Sequence, residues 1–423
     1  MYPTIRPSIT MDFQKSKRLD PRVTFSRSSA ATYVEAGVVK TVPSNVARFE
    51  KEGLLIEEAR TNSYPDSRAA NLNFARATHV TSTTILAPDG SFAEKCAEDT
   101  QTGAHGLWSN IPGLANNTQT TFSIYAKAGE KHWLSIGFQD VSFGYNVYTA
   151  FDLSTGTIGT NKHTGTKIFR PASASITPAG NGWYRLSVSR GTNAANVFAL
   201  MTASEPTGQS YNFSTFSYTG GSNGDGLYLF GPQVEEQSYS GGFATSYIPT
   251  AGSTVTRAAD IAQITGTNFS DWFNQRQSTL YVQMAIKKIA GSQSFIWSFG
   301  GGQRIEGLDG YYPYEGLIYF ADGSDTKYIG TGGAGTHRWD ANVLTKCAYS
   351  WNFDDGTGSV SLEGKSLLTE ANGSPGPVPS FPTGVSNFLL MGRTGQVKNS
   401  GHVARVSYYS EKLTDAQLEV LSQ

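Results

Sequence analysis

The feature that most constrains the fold is a series of short runs rich in aromatic and β-branched residues, each closed by glycine, asparagine, aspartate or serine. Examples are TTFSIYAKAG at 120–129, GWYRLSVSRG at 182–191 and KCAYSWNFDDG at 346–356. Such runs are typical of strands joined by tight turns, and FDLSTGTIG at 151–159 predicts a hairpin with its turn at 154–156. Their spacing predicts an all-β protein built from antiparallel β-sandwich domains of the jelly-roll type.

The length of the chain, 423 residues, suggests two or three domains. Pro3 and Pro7 favour an extended start. Residues 249–266 are small, polar and bounded by proline and glycine, as expected of a connector. We therefore predict four segments: an extended N-terminal arm at 1–63, a first jelly-roll sandwich at 64–248, a linker at 249–266 and a second sandwich at 267–423.

The apolar period changes at the C-terminal end of the chain. Leu413, Leu418 and Leu421 can share one face of a helix. Thr414 is a suitable N-cap, and Gln417 follows three residues later, as in a capping box. The sequence therefore predicts one short C-terminal helix that docks on the second sandwich.

Composition excludes several classes of partner. Only 16% of the residues are charged and the formal net charge is -1, whereas nucleic-acid surfaces need clustered lysine and arginine, so we expect no nucleic-acid partner. The absence of a run of about 18 apolar residues predicts no membrane insertion. No apolar segment follows the basic residues near the N-terminus, so we expect no signal peptide and synthesis in a cytoplasm.

The two cysteines, Cys96 and Cys347, fall in different predicted domains. We therefore expect no disulfide between them. Neither cysteine has a base or a second metal ligand nearby in the sequence, so we predict two buried thiols without a chemical role.

Two stretches of the chain resemble proteins of tailed-phage virions. LDPRVTFSRSSAATYVEAGVVKTVPSNVARF at 19–49, followed by GLLIEEARTN at 53–62, is similar to an N-terminal module of many tail fibre and tail-associated proteins. GPQVEEQSYSGGFATSYIPTAGSTVTRAAD at 231–260 is similar to the segment that closes a carbohydrate-binding-like jelly roll in the same proteins.

The predicted second sandwich resembles a broader class. SWNFDDGTGSVSLEGKSL at 350–367, FLLMGR at 388–393 and GHVARVSYYSEKLTDAQLEVLS at 401–422 are similar to concanavalin-A-like, laminin-G-type lectin and glucanase domains. In that class a strand with an arginine-aromatic run leads into a Leu-Thr-Asp-x-x-Leu helix. Because a fold hosts many functions, the ligand does not follow from this likeness.

The phage resemblance implies a structural component of the virion, namely a tail fibre or receptor-binding subunit that contacts host surface glycans. Its implied partners are other virion proteins, host cell-surface polysaccharide and further copies of itself, as a trimer by analogy with phage appendages. A capsid decoration or head-fibre protein is the alternative within the same class. A polysaccharide depolymerase is the alternative among enzymes.

Enzymatic activity is not expected from the acidic residues. Glycosidases need two carboxylates that face each other across a sugar, and the Glu-x-Asp-x-x-Glu pattern of concanavalin-A-like glucanases does not occur here. The adjacent pairs Glu57–Glu58, Glu235–Glu236 and Asp354–Asp355 would point to opposite faces of a strand. We predict that these pairs are solvated strand ends or turns.

Sugar binding relies on aromatic rings that stack on a sugar face. The candidate contacts, for glycan or for another protein, are Trp133, Tyr145, Tyr148, Tyr311, Tyr312 and Tyr314. By contrast, four aromatic residues on strand patterns are predicted to be core: Trp183, Phe230, Trp297 and Trp351.

Calcium is the one candidate cofactor. The lectin-like classes that the chain resembles often bind it, and SNGDG at 222–226 and ADGSD at 321–325 offer oxygen ligands on tight backbone. The candidate ligands are Asp225, Asp322 and Asp325. The competing interpretation is that Asp-Gly serves only as a turn former, with no cofactor.

Overall fold

The computed structural model describes residues 3–68, 73–111, 114, 118–139, 146–164, 173–192, 196–206, 216–237, 242–287, 294–301, 304–309, 314–322, 325–332, 339, 342–367, 384–393, 396–397 and 399–423. Within these residues the chain is almost entirely β, its sheets are antiparallel, and its three helices are short. The predicted all-β fold class is confirmed.

The secondary structure runs in this order: β1 (Ile9–Asp12), α1 (Phe13–Ser16), β2 (Thr24–Ser26), β3 (Ala31–Glu35), β4 (Val38–Val42), β5 (Arg48–Glu50), β6 (Gly53–Ile56), β7 (Arg60–Asn62), β8 (Asn73–Ala75), β9 (Ala77–Leu86), β10 (Phe92–Glu98), β11 (Thr102–Gly103), β12 (His105–Asn110), β13 (Thr118–Ala128), β14 (Trp133–Gln139), β15 (Asn146–Asp152), β16 (Thr157–Thr164), β17 (Ser173–Gly180), β18 (Trp183–Thr192), β19 (Asn196–Thr202), β20 (Tyr218–Thr219), β21 (Gly226–Gln237), β22 (Val255–Arg257), β23 (Ile261–Thr265), α2 (Thr267–Ser270), β24 (Gln277–Ile286), β25 (Ser294–Gly301), β26 (Arg304–Asp309), β27 (Tyr314–Asp322), β28 (Asp325–Gly332), β29 (Leu344–Asn352), β30 (Thr357–Leu362), β31 (Lys365–Leu367), β32 (Val385–Leu390), β33 (Gly392–Arg393), β34 (Gln396–Val397), β35 (Gly401–Tyr409) and α3 (Asp415–Ser422).

The chain divides into two compact units. Unit 1 comprises Met1–Ala30, Val42–Ala59 and Ala258–Gln423, and unit 2 comprises Ala31–Thr41 and Arg60–Arg257. Each unit is built around two antiparallel sheets whose inner side chains share one core, as in a β-sandwich.

In unit 2 the described strands of the two sheets follow the orders β17-β18-β13-β21-β10-β9 and β16-β15-β14-β19-β12-β8. Alternate residues of facing strands fill the core, such as Phe122 and Ile124 of β13 against Leu134 and Ile136 of β14. The predicted hairpin is confirmed, since β15 pairs with β16 and Gly156 in their turn has a φ of 71°. Only glycine adopts that conformation without strain.

In unit 1 one sheet follows the order β31-β30-β29-β24-β35-β6-β5, with β1 also paired to β35, and the other follows β2-β23-β32-β25-β26-β27-β28. Large aromatic side chains join the two sheets. The rings of Trp297 and Trp351 stack with centroids 6.2 Å apart, and both side chains are fully buried. These two residues, together with Trp183 and Phe230 of unit 2, are core residues as predicted.

The compact units differ from the four predicted segments. Residues 1–63 do not form a separate arm: β1, β5 and β6 belong to the large sheet of unit 1, while β3, β4 and β7 belong to unit 2. The proposed linker at 249–266 also contains two paired strands, β22 with β7 and β23 with β2 and β32. The pairing partners are far away in sequence, which is why a local pattern did not indicate them.

The C-terminal helix is confirmed. α3 begins after Thr414, whose backbone N–H donates to Gln417 Oε1 at 3.0 Å in a capping box. Leu418 is fully buried and packs with Leu413 and Tyr281 of unit 1. None of the helices within the described residues is long and apolar enough to span a membrane.

The cysteines lie in the interior of the protein. Cys96 is in unit 2 and Cys347 is in unit 1, both are buried, and neither forms a disulfide, as predicted. Burial raises the pKa of the Cys96 thiol to about 12, so that side chain is held in its unreactive protonated form at neutral pH.

Buried ion pairs fix the N-terminal segments of unit 1. Asp260, just before β23, pairs with Arg27 at 2.9 Å and with Arg48 of β5, and it accepts the backbone N–H of Glu57 at 2.9 Å. Arg48 also pairs with Glu57 at 2.9 Å, and all four side chains are fully buried. We call Arg27, Arg48, Glu57 and Asp260 the ionic cluster. Burial alone would lower the pKa of Arg48, but the two carboxylates outweigh burial and raise it.

In unit 2, hydrogen bonds between uncharged groups hold the segment that contains Asn62. The Asn62 side chain, at the end of β7, is fully buried and donates to the carbonyl of Ile248 at 2.9 Å. Its Oδ1 accepts the backbone N–H groups of Tyr64 at 3.0 Å and Val234 at 2.9 Å. Gln233 accepts from the backbone of Ile248 at 2.6 Å. These residues lie in the same two stretches, 53–62 and 231–260 with their flanks, that carry the phage resemblance.

Candidate functional site

The candidate site lies on the outer face of one sheet of unit 2, the sheet ordered β16-β15-β14-β19-β12-β8. Leu134, Ile136 and Phe138 of β14 point into the core. Side chains alternate along a strand, so Trp133 and Gly137 belong to the opposite, outer face. Cross-strand pairing places Trp133 beside Asp152 of β15 and Thr202 of β19.

Trp133 is a half-buried indole at the start of β14. Gly159 of β16 leaves room for the indole, because a Cβ at residue 159 would lie only 2.8 Å from the indole ring and 2.8 Å from Glu205 Oε1. The same carboxylate accepts a hydrogen bond of 2.8 Å from the Thr160 hydroxyl. An indole, a carboxylate and a hydroxyl therefore converge around one glycine.

Two further polar side chains, those of His132 and Asp152, lie near the indole. His132 is exposed, with its ring centroid 6.3 Å from that of Trp133. Asp152 accepts hydrogen bonds from the Ser154 backbone at 2.8 Å and the Thr155 hydroxyl at 2.9 Å. Burial raises the pKa of Asp152, but the bonds from Ser154 and Thr155 outweigh that effect and lower it, so the side chain is a carboxylate at neutral pH.

We call the surface formed by Trp133, His132, Gly159, Thr160 and Glu205 the Trp133 surface. It offers an apolar ring face bordered by hydrogen-bond acceptors and donors. Such an arrangement can bind a ligand that presents a flat apolar patch and several hydroxyl groups.

Tyr148 lies on the outer face of the same sheet but is fully buried. Its ring packs edge-on against Phe216, with centroids 5.1 Å apart, in a cluster with Phe198. Gly137 lies between Tyr148 and Phe198 in the cross-strand row, and a Cβ there would come within 2.9 Å of the Phe198 ring. Tyr148 is thus a packing residue and does not join Trp133 at the surface.

The other predicted aromatic contacts are not brought together with Trp133 by the described structure. Tyr145, Tyr311 and Tyr312 lie outside the described residues. The backbone of Tyr314 begins β27 of unit 1, and its side chain lies outside the described part. For these four tyrosines, a contact role remains a prediction.

Glu205 and Thr160 were missed by sequence reasoning. Glu205 follows β19 and Thr160 lies in β16, so they are separated by 45 residues and meet only through sheet pairing. No spacing rule connects them to Trp133. The one local signal is glycine at 159 inside a strand pattern, which often marks a close approach of another group.

Asp225, the first predicted calcium ligand, lies in the turn before β21. Its Oδ2 accepts the Ser222 backbone N–H at 3.3 Å, as expected of a turn former. Beside it, Glu98 Oε1 pairs with Lys131 Nζ at 2.9 Å and accepts the Gly221 N–H at 2.7 Å. The positive charge of Lys131 therefore lies beside this turn, paired with Glu98.

Asp322 and Asp325 face each other in the register of β27 and β28, and their side chains lie outside the described part. The predicted calcium site at these residues and at Asp225 remains a prediction.

The prediction for the adjacent acidic pairs was wrong for two of the three. Glu57 and Glu235 are fully buried. Glu57 belongs to the ionic cluster, and Glu235 accepts the backbone N–H of Thr245 at 3.0 Å. Only Asp354 and Asp355 are exposed as predicted. The buried members are tolerated because each has a close hydrogen-bond donor or cation.

Unit 2 also contains a mainly apolar cavity of about 270 Å³. It lies among the β3–β4 turn, the β9–β10 turn and the β17–β18 turn, next to Lys127 and Trp183. Both polar groups already have partners, since Lys127 Nζ donates to the Asn181 carbonyl at 2.7 Å and Trp183 Nε1 donates to the Leu86 carbonyl at 3.0 Å. The cavity thus offers fewer polar groups for recognition than the Trp133 surface does.

No family model and no curated protein matches this chain in sequence. Among solved structures, similarity was found to the CBM40 module of the Ruminococcus gnavus IT-sialidase, at 18% identity over 36% of this chain and 84% of that chain, with a TM-score of 0.28.

Domain 4 of AbnA, a GH43 extracellular arabinanase from Geobacillus stearothermophilus, is 12% identical over 43% of this chain and 82% of that chain, with a TM-score of 0.31. The NanB sialidase from Streptococcus pneumoniae is 13% identical over 38% of this chain and 26% of that chain, with a TM-score of 0.29. Because these identities and TM-scores are low, the fold described above rests on the strand pairing of this chain alone.

Proposed function

We propose that this protein is a non-catalytic structural component of a tailed-phage virion, a tail fibre or receptor-binding subunit whose unit 2 contacts host cell-surface polysaccharide. The observation that carries the glycan part is the Trp133 surface, where a half-buried indole lies against Gly159 beside Glu205 and Thr160.

The chemistry of a sugar matches this surface. One face of a pyranose ring presents C–H groups that pack on an indole, and the hydroxyl groups around its rim need acceptors and donors. Glu205 supplies an acceptor, as does Asp152, which lies opposite Trp133 on the neighbouring strand, while His132 and Thr160 supply further polar groups. The indole sits on paired strands, which hold it rigidly, so little order is lost when a ligand binds.

The virion part of the proposal rests on the resemblance of residues 19–49, 53–62 and 231–260 to tail-associated proteins. Several of their polar side chains, those of the ionic cluster and of Asn62, are buried with partners. This supports a rigid module suited to a particle surface. Other virion proteins and further copies of the chain, as a trimer, are the proposed partners.

The absence of catalysis is likewise proposed. Glycosidases need two carboxylates across a cleft. Among the acidic pairs that the sequence singled out, Glu57 and Glu235 are buried with partners, and Asp354 forms an ion pair with Arg276. Glu205 of the Trp133 surface is bonded to Thr160, so it is suited to orienting a sugar hydroxyl.

The proposal is tested by binding of the full chain to host surface polysaccharide. Trp133→Ala should weaken binding at least about 10-fold, because removing a stacked aromatic forfeits roughly 1.5–3 kcal/mol of burial. The matched control is Phe92→Ala, which removes an aromatic side chain that is 53% exposed on the other sheet of unit 2. Unchanged affinity of Trp133→Ala would contradict the proposed site.

Two further measurements separate the rival functions. The first is incubation of the protein with host polysaccharide. If new reducing ends appear, the protein cleaves the polysaccharide and is a depolymerase. Electron cryo-microscopy of the particle should show this protein at the tail, whereas density over the capsid lattice would make it a decoration or head-fibre protein.

A further inference from the structure

A second cluster of chemically reactive side chains lies in unit 1, on a sheet that carries no part of the Trp133 surface. In the described part of the chain, one group of three carboxylate or imidazole side chains is close enough to share an ion: Glu50, Glu52 and His402, with one ligand atom of each within 4.8 Å of the others. His402 Nε2 is 2.8 Å from Glu50 Oε2.

Sheet pairing brings these residues together from distant positions in sequence. Glu50 ends β5, Glu52 lies in the tight turn to β6, and His402 of β35 pairs in register with Leu55 of β6. Gly53 has a φ of 134°, and a Cβ there would lie 2.2 Å from the Val403 carbonyl oxygen. Only glycine therefore lets this turn close against β35.

We propose that Glu50, Glu52 and His402 bind a divalent first-row transition metal ion, with zinc as the type ion. One imidazole and two carboxylates make up a donor set of the kind that zinc accepts, and three protein ligands leave a fourth position for water. Imidazole favours zinc over the harder calcium and magnesium ions.

The charges around the cluster are suited to a cation. Two of the neighbouring cationic groups have acceptors of their own: Arg48 lies in the ionic cluster, and Lys17 Nζ donates to the backbone carbonyls of Glu50 and Lys51. The site is also accessible, because the side chains of His402 and Glu50 are 14% and 18% exposed. An ion can therefore enter from solvent and still be held on three sides.

A metal ion at this point would link the turn of the β5–β6 hairpin to β35, which follows it by about 350 residues in the sequence. Binding to the folded state alone raises the free energy of unfolding, and the gain grows with the logarithm of the ligand concentration once that exceeds the dissociation constant. Zinc should therefore raise the melting temperature of the chain.

The test is a calorimetric titration of the metal-stripped full chain with zinc chloride. We expect one saturable site per chain, a melting temperature that rises with zinc, and a weaker response to calcium chloride. His402→Gln and Glu52→Gln should each weaken zinc binding at least about 10-fold, by analogy with the loss seen when the support of a metal ligand is removed.

The matched control is His79→Gln in unit 2. His79 forms a similar histidine–carboxylate pair, with Nδ1 3.1 Å from Glu94 Oε2, but it does not belong to the three-residue group. This variant should keep the zinc affinity of the original chain. Equal affinity in His402→Gln and Glu52→Gln, or no saturable zinc binding, would overturn the proposal.

Circular dichroism of each variant distinguishes a lost site from a lost fold. If His402→Gln does not fold, the variant Glu52→Gln, whose half-buried side chain lies in the turn between β5 and β6, decides the question. In crystals soaked with zinc, an anomalous peak about 2.0–2.2 Å from the three ligand atoms supports the site, and a peak elsewhere overturns it. Because these readouts involve no polysaccharide, they are independent of the glycan proposal.

Discussion

The two units hold their N-terminal segments by opposite kinds of interaction. In unit 1 the segments around Arg27, Arg48 and Glu57 are fixed by full charges buried with Asp260. In unit 2 the segment that ends at Asn62 is fixed by amide hydrogen bonds to backbone groups. Both sets of side chains are excluded from water, so burial alone does not distinguish them.

The difference lies in what remains when one member is removed. A buried charge that loses its partner retains a large desolvation cost, whereas an unsatisfied neutral group costs much less. The ionic cluster should therefore be the more fragile of the two to single substitutions. Carboxylates and guanidinium groups also fit each other only in a defined geometry, which favours one register for β5, β6 and β23.

The largest effect is expected from Asp260→Asn. This change leaves Arg27 and Arg48 with too little negative charge, and breaking a buried pair in this way costs about 3–5 kcal/mol. Amide hydrogen exchange should accelerate in β6 and β35 of unit 1 while the strands of unit 2 keep their protection. Equal acceleration in both units would contradict the local role of the cluster.

An exposed pair provides the control for that experiment. Arg276 and Asp354, also in unit 1, form an ion pair with side chains 73% and 48% exposed. Asp354→Asn removes a carboxylate of the same kind, but an exposed ion pair contributes little to stability because water and salt screen the two charges. Exchange rates in β6 and β35 should stay close to those of the original chain.

A smaller effect is expected from Asn62→Ala. It leaves the N–H groups of Tyr64 and Val234 and the carbonyl of Ile248 without their side-chain partner, at a cost of about 1–3 kcal/mol. Hydrogen exchange should accelerate in β7 and β21 of unit 2. If Asn62→Ala lowered the free energy of unfolding as much as Asp260→Asn does, buried charges and buried neutral groups would not differ in the way proposed.

Glu98, a charged residue of unit 2, allows a prediction about the pH dependence of stability. Burial raises its pKa, but bonds from Tyr218, Lys131 and Gly221 outweigh burial and lower the pKa below its ordinary value. A lowered folded-state pKa gives stability that is present above the unfolded pKa of about 4.3 and is lost as the pH falls through the folded pKa. The stability gap between Glu98→Gln and the original chain should thus narrow in acid.

The measurement is a urea midpoint for both proteins at pH 7, 4 and 3. A gap of constant size across this range would show that Glu98 acts through packing and not through its charge.

The smallest effect is expected from Gln417→Ala, which removes one half of the capping box of α3. Loss of a helix cap costs about 0.5–2 kcal/mol, and this change removes only the reciprocal acceptor, so the lower end applies. Hydrogen exchange should accelerate within the first turn of α3 only. Spread of the effect into β29 would show that the helix supports the sheet beneath it.

Local features were predictable from sequence because their causes lie within a few residues. The Thr414–Gln417 cap, the turn at Gly156 and the core positions of Trp297 and Trp351 all follow from short-range patterns.

The remainder depends on partners that arrive from far along the chain. No local signal shows that Glu57 meets Arg48 and that Arg48 meets Asp260, 212 residues away. Tyr148 has the strand position of a surface residue, but Phe216 covers it. Glu205 comes near Trp133 because β19, which it follows, pairs with β14 and places Thr202 opposite Trp133.

Unit 1 is made of three separate stretches of the chain, so it cannot be completed until the last of them has been synthesised. Leu54 of β6 pairs with Val403 of β35, so roughly 350 residues must leave the ribosome between the two strands. At about 5–20 residues per second, this takes roughly 20–70 s. Unit 2 is completed within that interval, while β1 and β6 still lack their common pairing partner, β35. The growing chain therefore exposes apolar strands for tens of seconds, and chaperone binding to the nascent N-terminal region should be strongest in that window.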